Sequence, residues 1–110
     1  MYFGRDWPPQ GPSESRVLGL DFVNDMDQGE TLLSSTWDVL VIIGVDANPK
    51  ILQGPSITAV PKDSSLKTGT IQRVGNTKPG VTYRLRAVVI TSRGNVLDGW
   101  SHVRGIGSAT

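Results

Sequence analysis

Lys78-Pro79-Gly80-Val81-Thr82-Tyr83-Arg84-Leu85-Arg86-Ala87-Val88-Val89-Ile90-Thr91-Ser92 is the stretch that decides the fold. Pro79-Gly80 supplies a tight turn, because proline presets one backbone angle and glycine tolerates the left-handed region. Beyond it, Tyr83, Leu85, Ala87 and Val89 fall on one face of an extended chain, and Thr82, Arg84 and Arg86 fall on the other. A period of two predicts a strand with one face on a core and one in water. The outer face runs on into Val88 and Ile90. That apolar continuation of a charged row makes Arg84, Arg86, Val88 and Ile90 candidates for contact with a partner.

Downstream, Arg93-Gly94-Asn95 reads as a hairpin turn, and residues 96–104 return as the last strand. Leu97 and Val103 share one of its faces while Trp100 and His102 share the other, so its inward set stays open. Upstream, residues 68–74 predict a strand with Ile71 inward, preceded by the polar loop Pro61-Lys62-Asp63-Ser64-Ser65. Residues 51–60 predict a short strand after Pro55. Residues 39–45 are apolar on both faces, which fits a doubly buried strand or an exposed edge covered by a partner. Residues 30–40 predict a strand with Leu33, Ser35, Trp37 and Val39 inward, Trp37 being its central packing residue. Residues 16–23 are the first strand, with Leu18, Leu20 and Phe22 inward, and residues 24–29 make a turn.

Residues 1–15 read as an extended arm. Trp7-Pro8-Pro9-Gln10-Gly11-Pro12 has no place in a helix or a central strand, since proline lacks the amide donor. The arm nevertheless carries Tyr2, Phe3 and Trp7, more aromatic surface than a solvated tail needs. These three either fold back on the domain or dock on another subunit, and they join the candidates for partner contact. Residues 105–110 are expected to be a flexible tail.

About seven short strands with regular turn signals, and no capped helical period, predict an all-β domain over residues 16–104. The Gly80-x-x-Tyr83 approach to a strand matches the tyrosine corner of immunoglobulin-like sandwiches. An immunoglobulin- or fibronectin-III-like β-sandwich is therefore expected, with Trp37 and Tyr83 in structural roles. Thirteen glycines and seven prolines among 110 residues suit such a turn-rich chain.

Composition narrows the function by exclusion. Eleven basic and ten acidic residues leave a net charge of +1, without the basic footprint of a nucleic-acid binder. No cysteine is present, so disulfides and thiolate metal sites are ruled out. No apolar run reaches membrane-spanning length, and the first residues lack the pattern of a secretory signal, so neither a membrane partner nor general export is expected. The single histidine, His102, lacks a nucleophile-elbow serine elsewhere in the chain; a small hydrolase would need Asp or Ser beside it. Asp21, Asp25, Asp27 and Glu30 do not have calcium-loop spacing and read as turn formers. Gly94 and Gly99 lie in a hairpin and not before a helix, so they make no phosphate loop. No catalytic set, metal or cofactor is expected. A carbohydrate-binding module using Trp7, Trp37 or Trp100 as a stacking surface is the rival from another class.

Trp7-Pro8-Pro9, Leu20-Asp21, Gly29-Glu30-Thr31, Ser34-Ser35-Thr36-Trp37-Asp38-Val39, Gly80-Val81-Thr82-Tyr83 and Thr91-Ser92-Arg93-Gly94-Asn95 occur in that order. In this the chain resembles a family of small, immunoglobulin-like virion structural proteins of tailed bacteriophages. The resemblance runs from about Trp7 to Val103, and residues 42–66 depart from it with a longer insertion. It implies a non-enzymatic virion component, assembled in the bacterial host cytoplasm. Its partners would be other virion proteins (portal or adaptor, tail or capsid subunits) and further copies of itself in a symmetric assembly. The expected place is the head–tail interface or a neck or tail fibre, with capsid decoration as the alternative.

Overall fold

The alternation in residues 82–91 becomes the middle strand of a sheet. In the computed structural model, which describes residues 1–59 and 67–107, the strands are β1 (Ser15–Asp21), β2 (Leu32–Ile43), β3 (Leu52–Ile57), β4 (Gly69–Gly75), β5 (Thr82–Thr91) and β6 (Val96–Arg104). One 3-10 turn occupies Val23–Asp25. The strands form two antiparallel three-stranded sheets, ordered β1-β4-β3 and β2-β5-β6. Leu18 and Leu20 of β1, Val74 of β4, Trp37 of β2, Tyr83, Leu85, Ala87 and Val89 of β5, and Val103 of β6 share one core, with Phe22, Ile51 and Val81 from the connections. This is the layering of an all-β sandwich.

Six strands are present among the described residues, not seven. Residues 39–43 do not form a strand of their own but continue β2, because no turn residue interrupts the run before Gly44. Gly44 has φ +85°, and a Cβ there would meet the Gly80 carbonyl oxygen at 2.8 Å. Two bulges shape β2. The register with β5 shifts between Leu32 and Ser34 and again between Val41 and Ile43. The first shift buries Leu32 and turns Leu33 out, 65 % exposed, which corrects the inward placement expected of Leu33. An extra residue on one strand breaks the alternation that the expectation assumed. Ser35, Trp37 and Val39 do face inward.

Ile71 is also corrected. It stands opposite Gly19 and Ile57, on the outer face of its sheet, while Thr70, Gln72 and Val74 face inward. The inward polar pair has partners. The Trp37 indole donates to Thr70 Oγ1 at 2.9 Å, and the Thr70 hydroxyl donates to Ser35 Oγ at 2.8 Å. Gln72 Nε2 donates to the carbonyls of Gln53 and Gly54. Hydrogen bonding thus lets polar residues take core positions that hydropathy alone assigned to isoleucine. β3 begins before Pro55, not after it, and is irregular from Gln53 to Ile57. Proline is tolerated there because β3 is an edge strand. The loop expected at residues 61–65 lies outside the described residues.

The arm lies on its own domain. It runs parallel to β6, with bridges at Tyr2–Trp100 and Gln10–Gly105. Phe3, Trp7 and Gln10 amides donate to the carbonyls of Trp100, His102 and Arg104 at 2.9 to 3.0 Å, and the Trp100 amide donates to the Met1 carbonyl. The tail is tied at its start as well. The Gly105 amide donates to the Val81 carbonyl, and the Ile106 amide donates to that of Gln10. Residues 105 and 106 are thus hydrogen-bonded to the domain.

Candidate interaction surface

The arm's aromatic residues divide by depth. The Phe3 ring meets Phe22 edge-on at 5.0 Å, and Trp7 lies 6.0 Å from Trp37. The Trp7 indole donates to the Gly19 carbonyl of β1 at 3.3 Å, so the arm bridges the two sheets along one side of the sandwich. Both rings are half-buried in their own domain. Tyr2 stays at the surface, its ring stacked on His102 at 5.3 Å and its hydroxyl donating to Asp6 Oδ1 at 2.7 Å. Asp6 also faces His102 Nδ1 at 3.4 Å. Among the described residues no serine or threonine hydroxyl hydrogen-bonds His102. The geometry of Tyr2, Asp6 and His102 holds the arm to β6.

Sequence reasoning missed the arm's deepest anchor. Gln10 is fully buried, and its Nε2 donates to the Val74 carbonyl at 2.7 Å and to the Glu14 carbonyl at 3.0 Å. Thr77 Oγ1 donates to the Gln10 carbonyl. A glutamine between prolines carries no hydropathy signal, so only the folded contacts single it out.

On the outer face of the β2-β5-β6 sheet, Arg84, Arg86, Val88 and Ile90 stand in one row, as their alternation predicts. The cross-strand partners are what the sequence did not give. Arg86 sends Nε and Nη2 to Asp38 Oδ2 of β2 at 3.1 and 2.7 Å. This pairing pushes the Arg86 guanidinium above its ordinary value. Arg84 lies over the Trp100 ring, 5.7 Å from its centroid. One face of Trp100 is thus covered by a cation, and Trp37 is buried, which leaves Trp37 no free face for a sugar ring.

Apolar side chains flank these paired charges at both ends. Leu33, Ile90 and Val96 are exposed at one end. At the other, Leu40, Ile42 and Ile43 are exposed, and Val45 is 83 % exposed. The Val41–Ile43 bulge places both Ile42 and Ile43 outward, where strict alternation would have hidden one. Residues 39–45 are therefore the exposed-edge case of the two that periodicity left open.

The acidic turn proves to be a structural clamp. Buried Glu30 accepts from the Asp27 amide at 2.9 Å, from Asn95 Nδ2 at 3.0 Å and from the Thr91 hydroxyl. The Thr91 hydroxyl and the Asp27 amide hold its carboxyl below the usual carboxylate range. Among the described residues, no three His, Asp or Glu side chains are grouped to hold a metal ion. No helix among them is long and apolar enough to cross a membrane. No protein-family model, curated protein or solved structure matches the chain.

Proposed function

We propose that the chain is an immunoglobulin-like module that serves as a non-enzymatic structural component of a tailed-phage virion, docked at the head–tail interface or within a neck or tail fibre. Three features support the finer fold reading. The sheet orders β1-β4-β3 and β2-β5-β6 match strands B-E-D and C-F-G of immunoglobulin domains. The arm beside β6 takes the place of a first strand. The Tyr83 hydroxyl accepts from the Lys78 amide at 2.9 Å and donates to Asp46 Oδ2 at 2.8 Å, the work of a tyrosine corner.

The observation that carries the functional reading is the outer face of the β2-β5-β6 sheet. Arg86 is paired with Asp38, Arg84 lies over the Trp100 ring, and large apolar residues flank them. A face rimmed by exposed Leu, Ile and Val suits burial against another protein. The motif resemblance names the class of that protein as a virion subunit. Cryo-electron microscopy of purified particles carrying the gene tests this. Density for a two-sheet domain with this face against a neighbouring subunit is expected at the neck or tail, and density on the capsid lattice would move the reading to decoration. Particles that lack the chain altogether would overturn it. A folded Ile90→Glu, Val96→Glu variant should be lost from the particles.

A further inference from the structure

We propose that one end of the outer face of the β2-β5-β6 sheet, around Arg84 and Arg104, docks an acidic segment of a neighbouring protein. Carboxylates of that segment meet the two guanidinium groups, and its apolar side chains cover Leu40 and Ile43. This rests on the reading that the outer face is buried against another protein, and it names the chemistry of what meets the face there.

Charge is spread unevenly over the face. Toward the hairpin between β5 and β6, Arg86 is held by Asp38, and Asp98 lies 3.4 Å from the amino group of Met1. Toward the start of β5 the balance changes. Strand register sets His102 of β6 and Leu40 of β2 on either side of Arg84, and it sets Arg104 and Ile43 on either side of Thr82. Among the described residues, neither Arg84 nor Arg104 has a carboxylate within ion-pair distance. Asp6, which borders this end, is engaged by the Tyr2 hydroxyl and faces His102. Two unpaired cations therefore share this end of the sheet, and the complement they lack is a carboxylate.

Arg84 is held in place without a hydrogen bond. Its Nε is buried and has no partner, and the guanidinium lies over the Trp100 ring. Stacking thus positions the group before any partner arrives, and a planar fork of fixed direction suits a carboxylate better than a mobile ammonium would. Tyr2 and Trp100, joined by a backbone bridge, stand beside it. Arginine, tryptophan and tyrosine are the residues on which protein interfaces most often anchor.

The same end is grooved. A cavity of about 500 Å³ is lined by Thr82, His102 and Arg104 of the sheet, by Ile42 and Ile43 of β2 and by Pro9 of the arm. Leu40, Ile42 and Ile43 are exposed beside the cations. A free anion such as phosphate would pair the arginines and leave these side chains in water. A segment that alternates acidic and apolar residues covers both.

Titration of the purified chain with a short acetylated, amidated peptide alternating glutamate and valine tests the site, read by backbone amide shifts. The glutamate peptide is expected to bind at least several-fold more tightly than its glutamine counterpart, with shifts centred on Arg84, His102 and Arg104, and more weakly as salt is raised. Arg84→Gln with Arg104→Gln should reduce its binding to the level of the glutamine peptide at an unchanged circular dichroism spectrum. Arg104→Gln alone, at an exposed strand end, should give a partial loss. Equal binding of the two peptides, shifts centred elsewhere, a double variant that binds like wild type, or the same shifts from inorganic phosphate would each overturn the proposal. A chain that ignores the glutamate peptide yet is found on particles would overturn the site and leave the virion reading standing. A chain that binds it as expected but is absent from particles would do the reverse.

Discussion

Tyr83 shows how a single hydroxyl fixes a corner. It is fully buried, and burial, which outweighs the opposing Lys78 amide and is aided by the Asp46 carboxylate, raises the phenol above its ordinary value, so it stays protonated and can donate. Replacement by phenylalanine would leave the Lys78 amide without its acceptor. It would also leave Asp46, whose side chain is only 5 % exposed, with Lys78 Nζ at 3.5 Å. Tyr83→Phe is expected to destabilise the chain by about 1–3 kcal/mol, the cost of stranded buried polar groups. A lower urea midpoint at unchanged slope would show it. Glu30 gives a prediction in pH. Its proton leaves the folded chain at lower pH than the unfolded chain, so its contribution is complete above the ordinary value of 4.5 and is lost as the pH falls through the lower folded value. Wild type should therefore lose stability in acid below about pH 4.5. Glu30→Gln should be less stable at pH 7, with a flatter acid limb in urea melts taken from pH 7 to 3. Tyr83 was legible because the Gly-x-x-Tyr spacing is local. The Glu30 clamp was not, since its partners Thr91 and Asn95 lie some sixty residues away.

At the scale of elements, β5 was readable throughout because it is the central strand, with a clean face on each side. β2 was readable only between its bulges, since each inserted residue inverts the faces that follow, as Leu33 and Ile43 show. β4 misled because its inward positions hold Thr70 and Gln72, whose hydrogen bonds replace apolar burial. The arm's aromatics were visible in the sequence, but their destination was not, because pairing with β6 spans almost the whole chain. Gly99 isolates the arm's contribution. A Cβ at Gly99 would fall on the Phe3 ring. Gly99→Val should therefore lift the start of the arm while β5 and β6 remain paired. Hydrogen exchange is expected to accelerate at the Phe3 and Trp7 amides and to stay slow at Leu85 and Ala87. Equal acceleration at all four positions would show that the arm and the sheet open as one unit. The exposed outer face was legible in Arg84, Arg86, Val88 and Ile90. The contacts of Arg86 with Asp38 and of Arg84 with Trp100 depend on cross-strand register, which no local pattern encodes.

For the molecule as a whole, residues from both sheets, the connections and the arm enter a single core. A chain of this size with one core is expected to unfold in one cooperative step. Near-ultraviolet dichroism, which reports Trp37 packing, and far-ultraviolet dichroism, which reports the sheets, should give coincident urea transitions. An earlier near-ultraviolet transition would mean that the arm and Trp37 loosen before the strands part. The parallel course of the arm beside β6 has a further, mechanical consequence. The arm's outer end and the far end of β6 point in opposite directions along one shared axis. Tension drawn through the two ends of the domain would slide these segments past each other and load the bonds at Met1, Phe3, Trp7 and Gln10 together. An antiparallel neighbour would let them peel one at a time. Force applied at the two ends would thus meet these bonds in shear.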